Sequence, residues 1–304
     1  MEFFKTNTKI PFMRQRIWTA VFSTIIIFAS VISLSLRGLN LGLDFTGGTS
    51  VEVSFPQTTS ANELRQKLVE GGFDKAVVQA FSVTDYSIRL APRTDQSQEQ
   101  LKEKLLQILP TALVKSLSYI GPQVGKSLVT NGILAVIVSF ICIMIYIALR
   151  FEYRFALSAA LALAHDPLLI LGIFSFFQIE FNLIVLAAVL TVIGYSLNDT
   201  IVVYDRVREN FRKVRKGTPL EIMDLSINQT LSRTIMTSGL TLLVVIALLI
   251  FGGPTLYLFA LPLTIGIVIG TYSSIYVAGS LAIAFGLNRS SLLPATRRAD
   301  DDMP

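Results

Sequence analysis

The sequence predicts a polytopic α-helical membrane protein of six transmembrane helices, with one α+β domain inserted between the first and the second. Two observations carry this. The 304 residues are 52% hydrophobic and only 15% charged, with a mean hydropathy of +0.60, too apolar for a chain folding in water. Several runs also reach the roughly 20 apolar residues that a spanning helix needs, and a stretch of about 90 residues after the first run has a different, short-period pattern.

The spans follow in order. Ile17 to Leu36 and Gly132 to Leu149 contain no charge, and Ala156 to Phe177 and Phe181 to Tyr204 contain only Asp166, Asp199 and the single His165. Thr234 to Asn288 is uncharged throughout. Gly252-Gly253-Pro254 divides it in two, because proline lacks the N–H and glycine disfavours helix. The predicted organisation is an N-terminus 1–16, spans 17–36 and 129–149 around a domain 37–128, and spans 156–177 and 181–204. A basic amphipathic loop 205–233, spans 234–253 and 258–284 and a C-terminus 285–304 complete it.

The net charge of +5 does not indicate a nucleic-acid partner, because the basic residues sort by side of the membrane. Lys5, Lys9, Arg14 and Arg16 precede the first span, Arg150 and Arg154 flank the second turn, and Arg206, Arg208, Arg212, Lys213, Arg215, Lys216 and Arg233 fall between spans four and five. Arg289, Arg297 and Arg298 follow the sixth. By the positive-inside rule both termini are cytoplasmic and the inserted domain faces outward. The first apolar run lacks a cleavage pattern and is expected to stay as an anchor. Cys142, the sole cysteine, lies in a span and reads as a packing residue.

Within 37–128, Val51 to Phe55 reads as a strand. Ser60-Ala61-Asn62-Glu63 is a capping-box sequence opening a helix that Gly71-Gly72 ends. Ala76 to Val83 is a second strand. Tyr86, Ile88 and Leu90 alternate with Ser87, Arg89 and Ala91 as a half-buried strand requires. Leu101, Leu105, Ile108 and Leu109 mark a second helix, and Ala112 to Ile120 a last strand. The order β-α-β-β-α-β is the ferredoxin-like one. Ten basic and nine acidic residues leave the domain nearly neutral, and it has neither a phosphate loop nor a metal-ligand cluster. Contact with a partner protein or an extended polypeptide is the functional expectation, and a plain spacer the alternative.

Charges inside spans are the candidate site. A centrally placed charge costs roughly 2.5–3.5 kcal/mol on insertion scales, which the thirteen Leu, Ile, Val and Phe residues of Phe181 to Tyr204 offset. Ionisable groups in spans are functional candidates. Asp199 follows Asn198, and Thr191 and Tyr195 lie at i−8 and i−4, so a polar stripe is expected to run toward the bundle interior as a proton or ion path. The alternative is a carboxylate buried for packing. Asp166 stands beside His165 and before Pro167, which frees a carbonyl and bends helices. His165 reads either as a proton relay or as a packing residue. Arg233, with Thr237 and Thr241 above it, is expected to pair with Asp199 as a switch; otherwise it is one more flanking charge. Val207, Phe211 and Val214 form a stripe among basic residues that predicts an interfacial helix on anionic lipid headgroups. Thr218-Pro219-Leu220-Glu221 caps another helix. Gly266, Gly270, Ser274, Ala278 and Ala282 form a small-residue ladder for close packing in span six.

Taken in order, several motifs carry a resemblance. These are Leu43-Asp44-Phe45-Thr46-Gly47-Gly48, Gly121-Pro122-Gln123-Val124-Gly125, Ala164-His165-Asp166, Gly194-Tyr195-Ser196-Leu197-Asn198-Asp199, Asp205-Arg206-Val207-Arg208-Glu209-Asn210 and Arg233-Thr234. The chain resembles the SecF branch of the SecD/SecF family of protein-export membrane subunits, within the resistance-nodulation-division superfamily. Read alone, Asp44 and Gly47-Gly48 are only a tight turn. The resemblance implies that Asp199 and Arg233 belong to a proton path, with protons as the coupling ion and no cofactor. It also implies a SecD-like partner supplying six further helices, the SecYEG channel, secreted preproteins as substrate, and the bacterial cytoplasmic membrane as location. Pro167 departs from the family pattern, where an aliphatic residue is expected. Half of a small-molecule or lipid exporter of the same superfamily is the competing reading. An intramembrane aspartyl protease built on Asp166 and Asp199 is weakened by His165 and Asn198 standing before the two carboxylates.

Overall fold

The structure is a computed structural model and describes residues 9–74, 76–80, 82–91, 98–214 and 216–288. Lys5, Arg215, Arg289, Arg297, Arg298 and most of the C-terminus 285–304 lie outside the described residues. Six helices are long and apolar enough to span a membrane: Phe12–Arg37, Pro122–Arg150, Tyr153–Phe177, Leu183–Lys213, Pro219–Phe251 and Thr255–Ala284. The chain forms two compact units. One is Leu39–Val138 with Ile179–Leu186; the other takes in the described parts of Met1–Gly38, Ser139–Gln178 and Ala187–Pro304.

Unit Leu39–Val138 with Ile179–Leu186 holds two sheets. Strands β1 (Asn40–Leu41), β2 (Gly48–Ser54), β3 (Val77–Ala80), β4 (Asp85–Leu90), β5 (Leu113–Ile120) and β6 (Glu180–Phe181) occur along the chain. The larger sheet has the order β3-β4-β2-β5 with all neighbours antiparallel, and helices Ala61–Glu70 and Gln98–Ile108 follow β2 and β4. This is compatible with the ferredoxin-like expectation. Ser60 caps the first helix through Asn62 N–H, though without the reciprocal Glu63 bond of a full capping box. Leu64, Leu68, Leu101 and Leu105 from the two helices share one core with Val51, Val53, Tyr86 and Ile88 from the sheet.

One expectation fails here. Strand β4 is buried on both faces, Ser87 and Arg89 included, and not on one. Period-2 patterning reports which face is apolar, not whether the polar face is covered, and Arg89 is covered because Asn40, Leu41 and Glu180 receive it.

Spans three, four and six have half or more of their apolar stretches buried, whereas spans one, two and five have under a fifth. Small residues form the seams. Span one meets span three at Ser30 beside Gly172 and at Ser33 Oγ, 3.0 Å from Ser175 Oγ. The ladder of span six packs on span four with matching i+4 spacing. A Cβ on Gly266 would stand 2.2 Å from Val192, Gly270 faces Ser196, Ser274 Oγ lies 3.0 Å from Thr200 Oγ1, and Tyr204 donates to the Ala278 carbonyl at 3.0 Å. Without a hydrophobic drive between helices in lipid, such close approach supplies the dispersion that holds them. Gly266→Leu is therefore expected to lower stability by about 1–3 kcal/mol, the cost of overpacking, and to lower the thermal midpoint in detergent.

The loop between spans four and five also departs from expectation. Among the described residues there is no separate interfacial helix: span four continues to Lys213 and span five begins at Pro219. Val207 and Phe211 do not rest on headgroups but are buried against Ile222, Met223 and Ile227 of the next helix. Asn210 fixes the pair by donating to Ser226 Oγ and Gln229 Oε1, both at 2.9 Å. A drop in hydropathy marks where a helix leaves lipid, not where it ends, and an apolar stripe beyond that point is free to pack on protein. The capping box at Thr218 and Glu221 is present as expected.

Candidate functional site

Asp199 is buried on span four and accepts a 3.1 Å hydrogen bond from Ser238 Oγ of span five. Thr271 of span six donates to the same Ser238 at 3.1 Å, and Tyr195 OH stands 3.5 Å from Ser238 and 3.4 Å from Thr241. A carboxylate is thus joined to hydroxyls from three spans. Each hydroxyl can donate and accept, so the set can reorganise as a proton arrives or leaves. Arg233 attracts Asp199 electrostatically but makes no close ion pair with it among the described residues, and Arg233 is exposed. The reason is axial. Arg233 lies five residues before Ser238, about 7.5 Å along the helix at 1.5 Å per residue, and Ser238 occupies the position level with the carboxylate.

The polar stripe runs inward only in part. Tyr195 and Asp199 meet span five, whereas Thr191 and Asn198 are exposed on span four and look away from the chain's own helices. Exposed polar groups in a span need partners, since lipid offers none.

Asp166 is fully buried and has three partners. His165 Nδ1 lies 2.8 Å from Oδ1, while Ser196 Oγ at 2.5 Å and Ser273 Oγ at 2.8 Å donate to Oδ2. Ser196 comes from span four and Ser273 from span six, where residues Ser273–Val277 form a π-helical turn. The extra residue in such a turn shifts the side-chain register, a device common at functional positions. It lets adjacent Ser273 and Ser274 serve different partners, Asp166 and Thr200. Helix Tyr153–Phe177 continues through Pro167.

The signature turns lie in the Leu39–Val138 unit and meet one another. Gly47 has φ +66°, and a Cβ there would stand 3.2 Å from both the Ile120 carbonyl and Pro122 Cα; Gly125 approaches Gly47 N. Gly48 also has positive φ, whereas Gly121 has neither positive φ nor a crowding neighbour. Asp44 Oδ2 accepts from Leu183 N–H at 2.9 Å, satisfying a free donor at the first turn of span four. Next to it, β1 pairs in parallel with β6. Arg89 reaches across from β4, donating to the Leu41 carbonyl at 2.7 Å and Asn40 Oδ1 at 2.9 Å, with Glu180 Oε1 3.8 Å away.

Arg89 and Glu180 therefore tie the sheet to the strand pair at the head of span four. Neither was singled out from sequence, where each reads as an ordinary loop or strand charge. Burial pushes the Glu180 carboxyl above its usual 4.5, Arg89 draws it back, and Asp44 adds to the rise. A raised carboxyl favours the folded state most below the ordinary value and loses that contribution as pH rises through the shifted one. Hydrogen-exchange protection of Gly42 N–H, which bonds the Phe181 carbonyl at 2.8 Å, is expected to fall with rising pH in that window. Glu180→Gln should flatten the dependence; an unchanged slope would remove Glu180 as its source.

Among the described residues no group of His, Cys, Asp and Glu is arranged to hold a metal ion.

The family described as protein export membrane protein SecD/SecF, C-terminal, matches residues 100–288, and the SecD/SecF GG motif matches residues 32–58. The chain is 48% identical over 310 residues to the protein translocase subunit SecF of Vibrio alginolyticus, covering 99% of this chain and 98% of that one. It is 43% identical to the SecF of Escherichia coli O157:H7, covering 93% and 90%. The crystal structure of SecDF, a translocon-associated membrane protein from Thermus thermophilus, superposes with a TM-score of 0.86 at 36% identity. That match covers 92% of this chain but 39% of the longer one. Six spans, the inserted domain, both signature turns and the matched length together make this multi-pass membrane chain a member of the SecD/SecF protein-export family.

Proposed function

We propose that the chain is the SecF-type half of an accessory machine that uses the proton-motive force to promote late steps of protein translocation. The observation that carries this is Asp199: a buried carboxylate bonded to Ser238 of span five, which in turn accepts from Thr271 of span six, beside a polar face that is exposed on this chain alone. A SecD-like subunit with six further helices covers that face. The two together form a twelve-helix unit that works with the SecYEG channel on secreted preproteins. The SecDF chain that this one matches over 39% of its length supports such an arrangement. The membrane is the bacterial cytoplasmic membrane, with the basic ends inside, where they also meet anionic lipid, and the α+β domain outside.

Protonation of Asp199 alters its bond to Ser238, and each charge moved through 100 mV is worth about 2.3 kcal/mol, enough to bias a two-state domain. The inserted domain then rocks with the cycle, linked to span four through Asp44 and the β1–β6 pair. Arg233 and Asn198 line the route, and Asp166 with His165 forms its second carboxylate station.

The test is deletion and co-purification. A strain lacking the chain should secrete a reporter slowly and lose the stimulation given by a proton gradient, and the tagged chain should bring a SecD-like subunit from mild detergent. Drug sensitivity with normal secretion would instead establish the exporter reading.

A further inference from the structure

A cavity of ≈ 420 Å³ lies between spans one, three and six and is lined by Thr24, Leu161, His165, Tyr276 and Ser280, among others. His165 is 4% exposed, and its Nδ1 is held by Asp166 at 2.8 Å. Its Nε2 is buried without a hydrogen-bond partner among the described residues, as is Ser280 Oγ. In either tautomer Nε2 needs one, as acceptor or as donor. Buried polar atoms in native proteins are nearly always satisfied, and a water molecule occupies about 30 Å³ in the liquid, so the space is ample. A second, open groove of ≈ 590 Å³, walled largely by apolar residues such as the exposed Ile17, Val21 and Ile25, shares Ala20, Thr24, Ser280 and Ala284 with the first and reaches Arg16, at the basic end of span one.

We propose that this cavity and the adjoining groove hold water and form a proton-release site, in which water bonded to His165 Nε2 and Ser280 Oγ takes protons from Asp166 toward the basic side of the membrane. The proposal rests on the proton-coupled reading above and adds a route. Asp166 starts protonated and His165 carries its proton on Nε2. The Nε2 proton passes to cavity water as the Asp166 proton crosses to Nδ1, leaving Asp166 ionised and His165 neutral. Ser196 and Ser273 hold the carboxylate that results. Among the other titratable groups, Tyr276 lines the cavity and faces Asp224, Tyr272 donates to the Thr19 carbonyl, and Arg16 stands at the far end, while Arg37, Tyr153, Arg154 and Tyr257 lie on the packed spans outside the lining.

The test uses the full chain with its partner subunit in inverted and right-side-out membrane vesicles. Thr24→Cys and Ser280→Cys, each in a Cys142→Ser background, are treated with a charged, water-soluble methanethiosulfonate, which reacts only with thiolate in contact with water. Both should be labelled from the Arg16 side, while Val138→Cys on exposed span two should not. Reaction only with a lipid-soluble maleimide would mean an acyl-filled crevice and overturn the proposal. His165→Gln and the cavity-filling Ser280→Leu should each reduce gradient-stimulated secretion at least tenfold. Full stimulation in His165→Gln, with Asp199→Asn inactive, would discard the relay and keep the proton-coupled reading. Full stimulation in Asp199→Asn would discard that reading itself, whatever the labelling.

Discussion

Asp199→Asn is expected to leave the chain folded and inserted while abolishing the stimulation of secretion by a proton gradient. The amide has the shape of the carboxyl, and its oxygen can still accept from Ser238 Oγ, now at 3.1 Å. Ser238 keeps its acceptor, so the loss of stability should stay small. What disappears is the ability to gain and lose a charge within the span, and with it the only coupling that membrane potential can act on at this position. Secretion of a reporter into vesicles, measured with and without an imposed gradient, checks this beside a thermal unfolding profile. Undiminished stimulation in a folded variant would take Asp199 off the path. Arg233→Ala should have a smaller effect on stability still, because its side chain makes no ion pair with Asp199 that could be broken.

Asp166→Ala should do the opposite and damage the fold first. The carboxyl is fully buried, accepts hydrogen bonds from Ser196 and Ser273, and shares a third with His165 Nδ1, the partners lying on three different spans. Removing one partner of a buried charged group typically costs about 3–5 kcal/mol. Ser273 has an alternative acceptor in the Gly270 carbonyl at 3.1 Å, which puts the expected loss toward the lower end. Asp166→Asn keeps an acceptor and should recover most of the stability without recovering the function. Thermal midpoints in detergent with membrane abundance separate the two variants, and an alanine variant as stable as the parent would show that the three partners do not depend on Asp166.

The two variants probe positions that were legible in sequence to different depths. That Asp166 and Asp199 are candidates is readable, because a charge in an apolar run of about 20 residues is costly wherever the helix packs. Their partners are not. Asp199 was expected to meet Arg233, the nearest opposite charge, and meets Ser238, because rotation about the helix axis and the level of each residue along it decide the contact. Thr191 and Asn198 were expected to face inward with Asp199, but only Asp199 does. Arg89 carried the pattern of an exposed strand residue, and its burial depends on Asn40, Leu41 and Glu180, all distant from it in the chain.

What the sequence by itself determined is additive and local. Insertion free energy sums over a window of residues, so the six spans and the order of strands and helices in the inserted domain follow from composition and period. The capping box at Thr218 and the positive-φ turn at Gly47 follow from the neighbouring residues alone. The tertiary structure decided everything that depends on two distant segments arriving at one point. It set the π-turn beside Asp166, the packing of Val207 and Phe211 on protein, the meeting of the two glycine turns, and the hydroxyl partners of both carboxylates. The physical reason is that a hydrogen bond or a close contact depends on relative position to within a few tenths of an ångström, and nothing in hydropathy or periodicity carries distance between segments.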